Sequence, residues 1–317
     1  MNLFSILLAV SLLANPTKNT PPTRNTLTLT FVGDVLLDRG VRQHVEHTAA
    51  QLGIKDIAQA ANLLFTHEVD KIFQQSDCVI ANLECPATDI KSPIQKRFSF
   101  RADPSWLPIL RKHGITHCNL ANNHSIDQGR KGLISTLENL KAANITPIGA
   151  GKTMDEASRP VLLYNHPRKV YLLVSAQMVL ENYPFLPQKP CVSQQNIQNL
   201  CTTIRKIKDN EPNSIVLVSL HWGTEHTPRP VPQQRMQARQ LIDNGADALI
   251  CHHTHTLQTI EKYHNKYIFY SIGNFIFDQH KPINTKTVIV QFQITSTNLN
   301  CKTITCEIKN CVPHITH

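Results

Sequence analysis

Beyond residue 14, no apolar run in this 317-residue chain reaches the roughly 20 residues a membrane helix needs, which predicts a soluble body. No run of Lys or Arg marks a nucleic-acid arm, and no ladder of basic and aromatic residues marks a single-strand platform. No specific nucleic-acid partner is therefore predicted. Linkers, low-complexity segments and internal repeats are also missing, so residues 28–317 are expected to form a single domain. Acidic residues are the minority charge, 23 Asp and Glu against 32 Lys and Arg, leaving a net +9. Such a surface favours acidic partners in general: anionic polymers, phosphate esters, nucleic acid or acidic lipid.

The N-terminus lacks the basic residues that usually open a signal peptide, yet residues 3–14 form an apolar block of the right length for one. Residues 1–15 are expected to be a signal peptide or a retained anchor, and 16–27 a disordered lead-in. This predicts export to the periplasm or cell surface, with anchoring through the N-terminus if the apolar block is retained. Nine cysteines would suit disulfides in an exported protein, but an odd number leaves at least one thiol unpaired. Cys301, Cys306 and Cys311 recur every five residues. On one continuous strand Cys301 and Cys306 would face opposite sides, and Cys301 and Cys311 would lie about 33 Å apart. Neither pair can bridge without an intervening turn. Cys78, Cys118 and Cys251 sit in apolar runs and read as core residues.

The rest of the chain alternates. Strands are expected at 28–32, 78–81, 117–121, 145–148, 169–175, 214–220 and 248–250. Helices are expected at 39–44, 57–73, 106–112, 129–143, 197–208 and 233–244, with Asp127 capping the one at 129. A hairpin turning at His264-Asn265 joins 256–263 to 266–271, and strands at 288–295 and 302–308 complete a β-rich end. Strands separated by helices, followed by antiparallel strands, indicate an α/β sandwich.

Five of the apolar runs end in side chains that bind hard divalent metals: Asp34, Asn82 with Glu84, Asn123 with His124, His221, and His253 with His255. Each has a plain structural explanation when taken alone. Asp34 after Gly33 suits a turn, Asn123-His124 suits a capped loop, and His221 suits a hydrogen-bonded core histidine. Five recurrences at strand ends point instead to a shared hydrolytic centre. Two metals about 3.5–4 Å apart need a bridging carboxylate, with His and Asn or Asp as terminal ligands. Glu84 or Asp34 could bridge, while Asn123, His221, His253 and His255 supply neutral donors.

The segments Gly33-Asp34-Val35 with Arg39, Asn82-Leu83-Glu84, Ala121-Asn122-Asn123-His124, His221-Trp222-Gly223-Thr224-Glu225, His252-His253-Thr254-His255 and Ser271-Ile272-Gly273-Asn274-Phe275 resemble, in order, the CapA family of poly-γ-glutamate capsule proteins. That family belongs to the calcineurin-like metallophosphoesterase superfamily. The resemblance implies a four-layer αββα sandwich and a role in making, exporting or anchoring polyglutamate. It also implies one or two divalent ions of the Mn, Fe or Zn class. Carried over by position, Asp34 would bind the first metal and Glu84 would bridge. Asn123, His221 and His253 would hold the second metal, and His255 would return to the first. His124 would be the catalytic proton donor. Arg39 would either hold an anionic substrate or pair with a carboxylate, Glu225 would orient a ligating histidine, and Asn82 and Asn274 would support the site.

Three departures stand out. The superfamily's Asp-x-His becomes Asp34-Val35-Leu36, its bridging Asp becomes Glu84, and Cys251 stands where a glycine usually leads the last motif. The readings that follow are a metal-dependent hydrolase of a phosphoester or γ-glutamyl amide, a non-catalytic polymer-binding accessory protein held together by metal, and a phosphoesterase of nucleotides. Implied partners are an anionic polymer or phosphoester substrate and capsule-synthesis machinery at the membrane.

Overall fold

The computed structural model describes residues 25–316. The expected signal peptide or anchor and most of the lead-in lie outside the described residues. Among the described residues, no helix is long and apolar enough to cross a membrane.

Two sheets stack face to face. The first is eight-stranded, with Leu27–Val35, Cys78–Leu83, His117–Asn119 and Thr146–Ile148 running parallel. It is extended antiparallel by Lys286–Ile294, Leu299–Lys309 and Val312–Ile315, and Asn274–Ile276 pairs parallel with the end of Leu27–Val35 as its eighth strand. The second is six-stranded, with Val170–Ala176, Ile215–His221, Ala248–Ile250 and Lys266–Phe269 parallel at its centre. Side-chain alternation explains the stacking, because successive strand residues face opposite sides. In Ile215–His221, Ile215 and Leu217 pack into the core between the sheets, while Val216, Val218 and Leu220 pack outward beneath the helices Ile197–Asn210 and Pro232–Asp243. In Leu27–Val35, Leu29 and Phe31 face the other sheet, while Val32 and Val35 face the helices Arg39–Leu52 and His67–Gln74. Two helix-facing cores around one inter-sheet core make the expected four-layer αββα sandwich.

Several local expectations need correction. The helix expected at 39–44 runs from Arg39 to Leu52, because Val41, Val45 and Ala49 keep a sparse buried stripe as far as a left-handed Gly53. The single helix expected at 57–73 is three pieces. It breaks where Thr66 turns extended and its hydroxyl accepts the Val69 N–H as a new N-cap. Asp127 does not cap the helix Gly129–Ala142, since its carboxylate is engaged elsewhere, as described below. The hairpin is confined to Ile260–Tyr263 and Lys266–Phe269, with His264 and Asn265 both left-handed. All nine cysteines are free thiols; Cys301 and Cys306 share one strand, and Cys311 lies in the turn after it.

Candidate metal centre

The same alternation aims the candidate residues inward. His221 is in phase with Ile215 and Leu217, and Asn82 with Cys78 and Ile80, so both face the other sheet. Asp34 would share the helix-facing side of Val32, but the pairing register shifts between Val32 and Asp34, and this bulge turns Asp34 inward. The bulge depends on Gly33, where a Cβ would collide with the Gly273 carbonyl oxygen. That oxygen accepts the Asp34 N–H at 3.1 Å. Glu84, the Asn122–His124 loop and residues 252–255 all leave the ends of parallel strands, so five chain segments meet at one end of the sandwich.

Here Asp34, Glu84 and His221 are fully buried, and His253 and His255 nearly so. Asn82 Nδ2 donates to Asp34 Oδ1 at 2.8 Å and lies 3.4 Å from Glu84 Oε2. The remaining oxygens, Asp34 Oδ2 and Glu84 Oε1, accept no hydrogen bond among the described residues. Glu84 Oε1 stands 3.8 Å from His221 Nε2 and 3.7 Å from His255 Nε2. His221 Nε2 lies 3.1 Å from His253 Nδ1 and 2.8 Å from Asn123 Oδ1. Two ligand sets result, Glu84 with His221 and His253, and Asp34 with Glu84 and His255, each having its ligand atoms within 4.8 Å of one another. Glu84 belongs to both.

The electrostatics suit cations. Burial pushes His253 down to about 3, with His255 adding to the effect, and burial also holds His221 well below its ordinary value, so both rings are neutral with lone pairs available. Burial would raise Asp34, but His252 and His255 outweigh it and hold this carboxyl well below the usual range. Glu84 is pushed well above the usual range by burial and then by the Asp34 charge. Asp34 and Glu84 each bury an oxygen that has no hydrogen bond among the described residues, beside the neutral His221 and His253 rings, and divalent ions would supply the positive charge such a site calls for. The residues fit one or two such ions. His253 and His255 carry positive φ values of 96° and 55°, which side chains with a Cβ rarely adopt.

The other candidates divide. Asn274 Oδ1 pairs with His255 Nδ1 at 2.9 Å and leaves Nε2 toward Glu84. Among the described residues, no contact brings Glu225 to a ligating histidine. Glu225 sits on an exposed loop 3.7 Å from His226 and makes no hydrogen bond to a ligand ring. Arg39 pairs with a carboxylate: its guanidinium donates from Nε to Asp278 Oδ2 at 3.0 Å, pairs through Nη2 with Oδ1, and covers the Phe100 ring at 4.7 Å. His124 Nδ1 meets Asp127 Oδ2 at 2.8 Å, and its ring stacks on Phe100 at 4.2 Å. Burial lowers His124, with Asp127 pulling the other way.

Sequence reasoning missed Lys96, Phe100 and His252. Lys96 is buried, with Nζ 2.5 Å from Asp127 Oδ1, and it donates to the Asn123 carbonyl at 3.0 Å. Asp127 also accepts the Phe100 N–H, which ties the 92–100 loop beneath His124. No periodicity in that loop signals these contacts. His252 Nδ1 lies 3.1 Å from Asp34 Oδ1; its only signal was its place beside His253.

The chain resembles known proteins along most of its length. The capsule biosynthesis protein CapA of Bacillus anthracis is 30% identical over 274 residues, covering 84% of this chain and 64% of that protein. The PGA biosynthesis protein CapA of Bacillus subtilis is 31% identical over 272 residues, covering 84% of this chain and 68% of that protein. A crystal structure of a hypothetical protein from Thermus thermophilus shares the fold, with a TM-score of 0.52 and 14% identity over 89% of this chain and 100% of that one. The model of the bacterial capsule synthesis protein family PGA_cap matches residues 28–279, and the chain belongs to that family.

Proposed function

We propose that this chain acts in the synthesis, export or anchoring of poly-γ-glutamate outside the cytoplasm, through a divalent-cation-dependent hydrolytic site. The observation that carries the reading is Glu84 shared between two ligand triads. In this reading Asp34, Glu84 and His255 would hold one cation, and Glu84, Asn123, His221 and His253 the other. Bound cations would offset negative charge developing on the substrate. Asp127 fixes the His124 ring through Nδ1 and favours its imidazolium form, so that Nε2 would take a proton from solvent and give it to a leaving group, and Phe100 holds the plane of that ring. The substrate class is a γ-glutamyl amide or a phosphoester.

The test is turnover of γ-glutamyl chains and of simple phosphoesters by metal-loaded protein, beside Asp34→Ala and His253→Ala proteins shown to be folded. Loss of turnover in both variants supports the reading, and unchanged turnover in both refutes it. A second reading, non-catalytic polymer binding, draws on the net charge of +9. Its mark is a salt-sensitive affinity for polyglutamate that survives chelation of the metals.

A further inference from the structure

Asp34 and His221 stand on different sheets and in different ligand triads, so one Glu84 carboxylate can serve both only if the two sheet ends keep a fixed spacing. His252 is placed to fix it. Its backbone belongs to the second sheet: its N–H donates to the Leu220 carbonyl at 2.9 Å and its own carbonyl accepts the Trp222 N–H at 3.3 Å, flanking His221 on both sides. Its side chain reaches the first sheet, with Nδ1 3.1 Å from Asp34 Oδ1. Both residues are buried, and the approach is a close polar contact rather than an aligned hydrogen bond, since among the described residues Nδ1 has no hydrogen-bond partner.

Other contacts do not fill this role. Asn82 orients Asp34, but it belongs to the neighbouring strand of the same sheet. Across the gap, Asn82 to His221 Nδ1 and Asn119 to Ser219 are both at 3.5 Å, the weak limit of a hydrogen bond. The short contact between Asn123 and His221, and the 3.4 Å approach of His255 Nδ1 to Asp34 Oδ2, use groups that a cation would claim. His252 lies in neither triad. With Oδ1 hydrogen-bonded to Asn82 and faced by His252, Asp34 keeps Oδ2 for a cation.

We propose that His252 is a positioning residue, an inter-sheet tie that sets the Asp34 carboxylate relative to His221 and thereby the spacing of the two cation centres. This rests on the two-cation reading above. The test loads the full chain, His252→Ala and His252→Asn with Mn²⁺, counts sites and affinities by titration calorimetry, and reads Mn–Mn coupling by EPR. Asn places an amide nitrogen near the Nδ1 position and keeps the donor.

The expected result is two coupled ions in the unaltered protein, one site weakened about 10–100-fold and the coupling changed in His252→Ala, and both restored in His252→Asn. If His252→Ala does not fold, His252→Leu, which keeps bulk without a donor, takes its place. Unchanged affinities and coupling in the donor-less variant overturn the proposal. So does a folded His252→Asn as impaired as that variant. An unaltered protein that binds fewer than two ions overturns the two-cation reading instead, and this inference with it.

Discussion

The two ligand triads share Glu84 but are otherwise built of different materials. The first sheet contributes Asp34, so the centre completed by His255 has two carboxylates and one imidazole. The second sheet contributes His221 and His253, with the Asn123 amide 2.8 Å from His221, so that centre carries its charge only on Glu84. The contrast teaches that charge and softness are divided between the sheets. An oxygen-rich centre suits harder ions, and an imidazole-rich one suits Zn, Fe or Mn and competes with protons.

Breaking one centre at a time tests that division most strongly. Asp34→Asn and His253→Ala should each lower bound metal from two ions to one, with an affinity loss beyond the roughly 100-fold upper range for outer-sphere partners. Elemental analysis checks this, and equal loss of both ions in both variants would dissolve the contrast. The next effect concerns the support beneath His124. Lys96→Met strands the buried Asp127 carboxylate and should cost about 3–5 kcal/mol in denaturant unfolding. Lys96→Met with Asp127→Asn should recover part of that loss, since no charge is then left unpaired.

Acidification separates the centres by a smaller margin. In cation-free protein, His253 titrates near 3 and His221 well below 6.5, both chiefly through burial. Between pH 6.5 and about 3 the unfolded chain therefore binds more protons than the folded one, and stability falls as pH drops through that window. Each ring contributes a slope of about 1.4 kcal/mol per pH unit where its two states differ fully. Thermal melts from pH 8 to 5 should show the loss, and His253→Ala should flatten it. The smallest effect should come from Glu225→Ala. This exposed loop change should stay within about 0.5 kcal/mol and keep both ions.

The five strand-end patches were legible because each follows a buried apolar strand, and strand period then dictates which residues face inward. The layers were legible for the same reason. Thr66 was readable as an N-cap but was hidden inside an apolar period that continued across it. Asp127 looked like a helix cap, because an Asp two residues before Gly129 has the local pattern of one. Its partners Lys96 and Phe100 lie about 30 residues away in a loop without period, so only the folded chain brings them together. His252 was obscured by its neighbours. Two of three adjacent-looking histidines are ligand candidates, and the direction of each ring depends on a loop whose backbone turns left-handed at His253 and His255.

The central claim is that one carboxylate serves two cations. Calorimetric titration of metal-free protein with Mn²⁺, repeated on Glu84→Gln with its fold verified by circular dichroism, tests it most directly. Two ions per chain in the unaltered protein and tight binding of neither in Glu84→Gln is the predicted result. A single ion in the unaltered protein, or two retained without the Glu84 carboxylate, would contradict it.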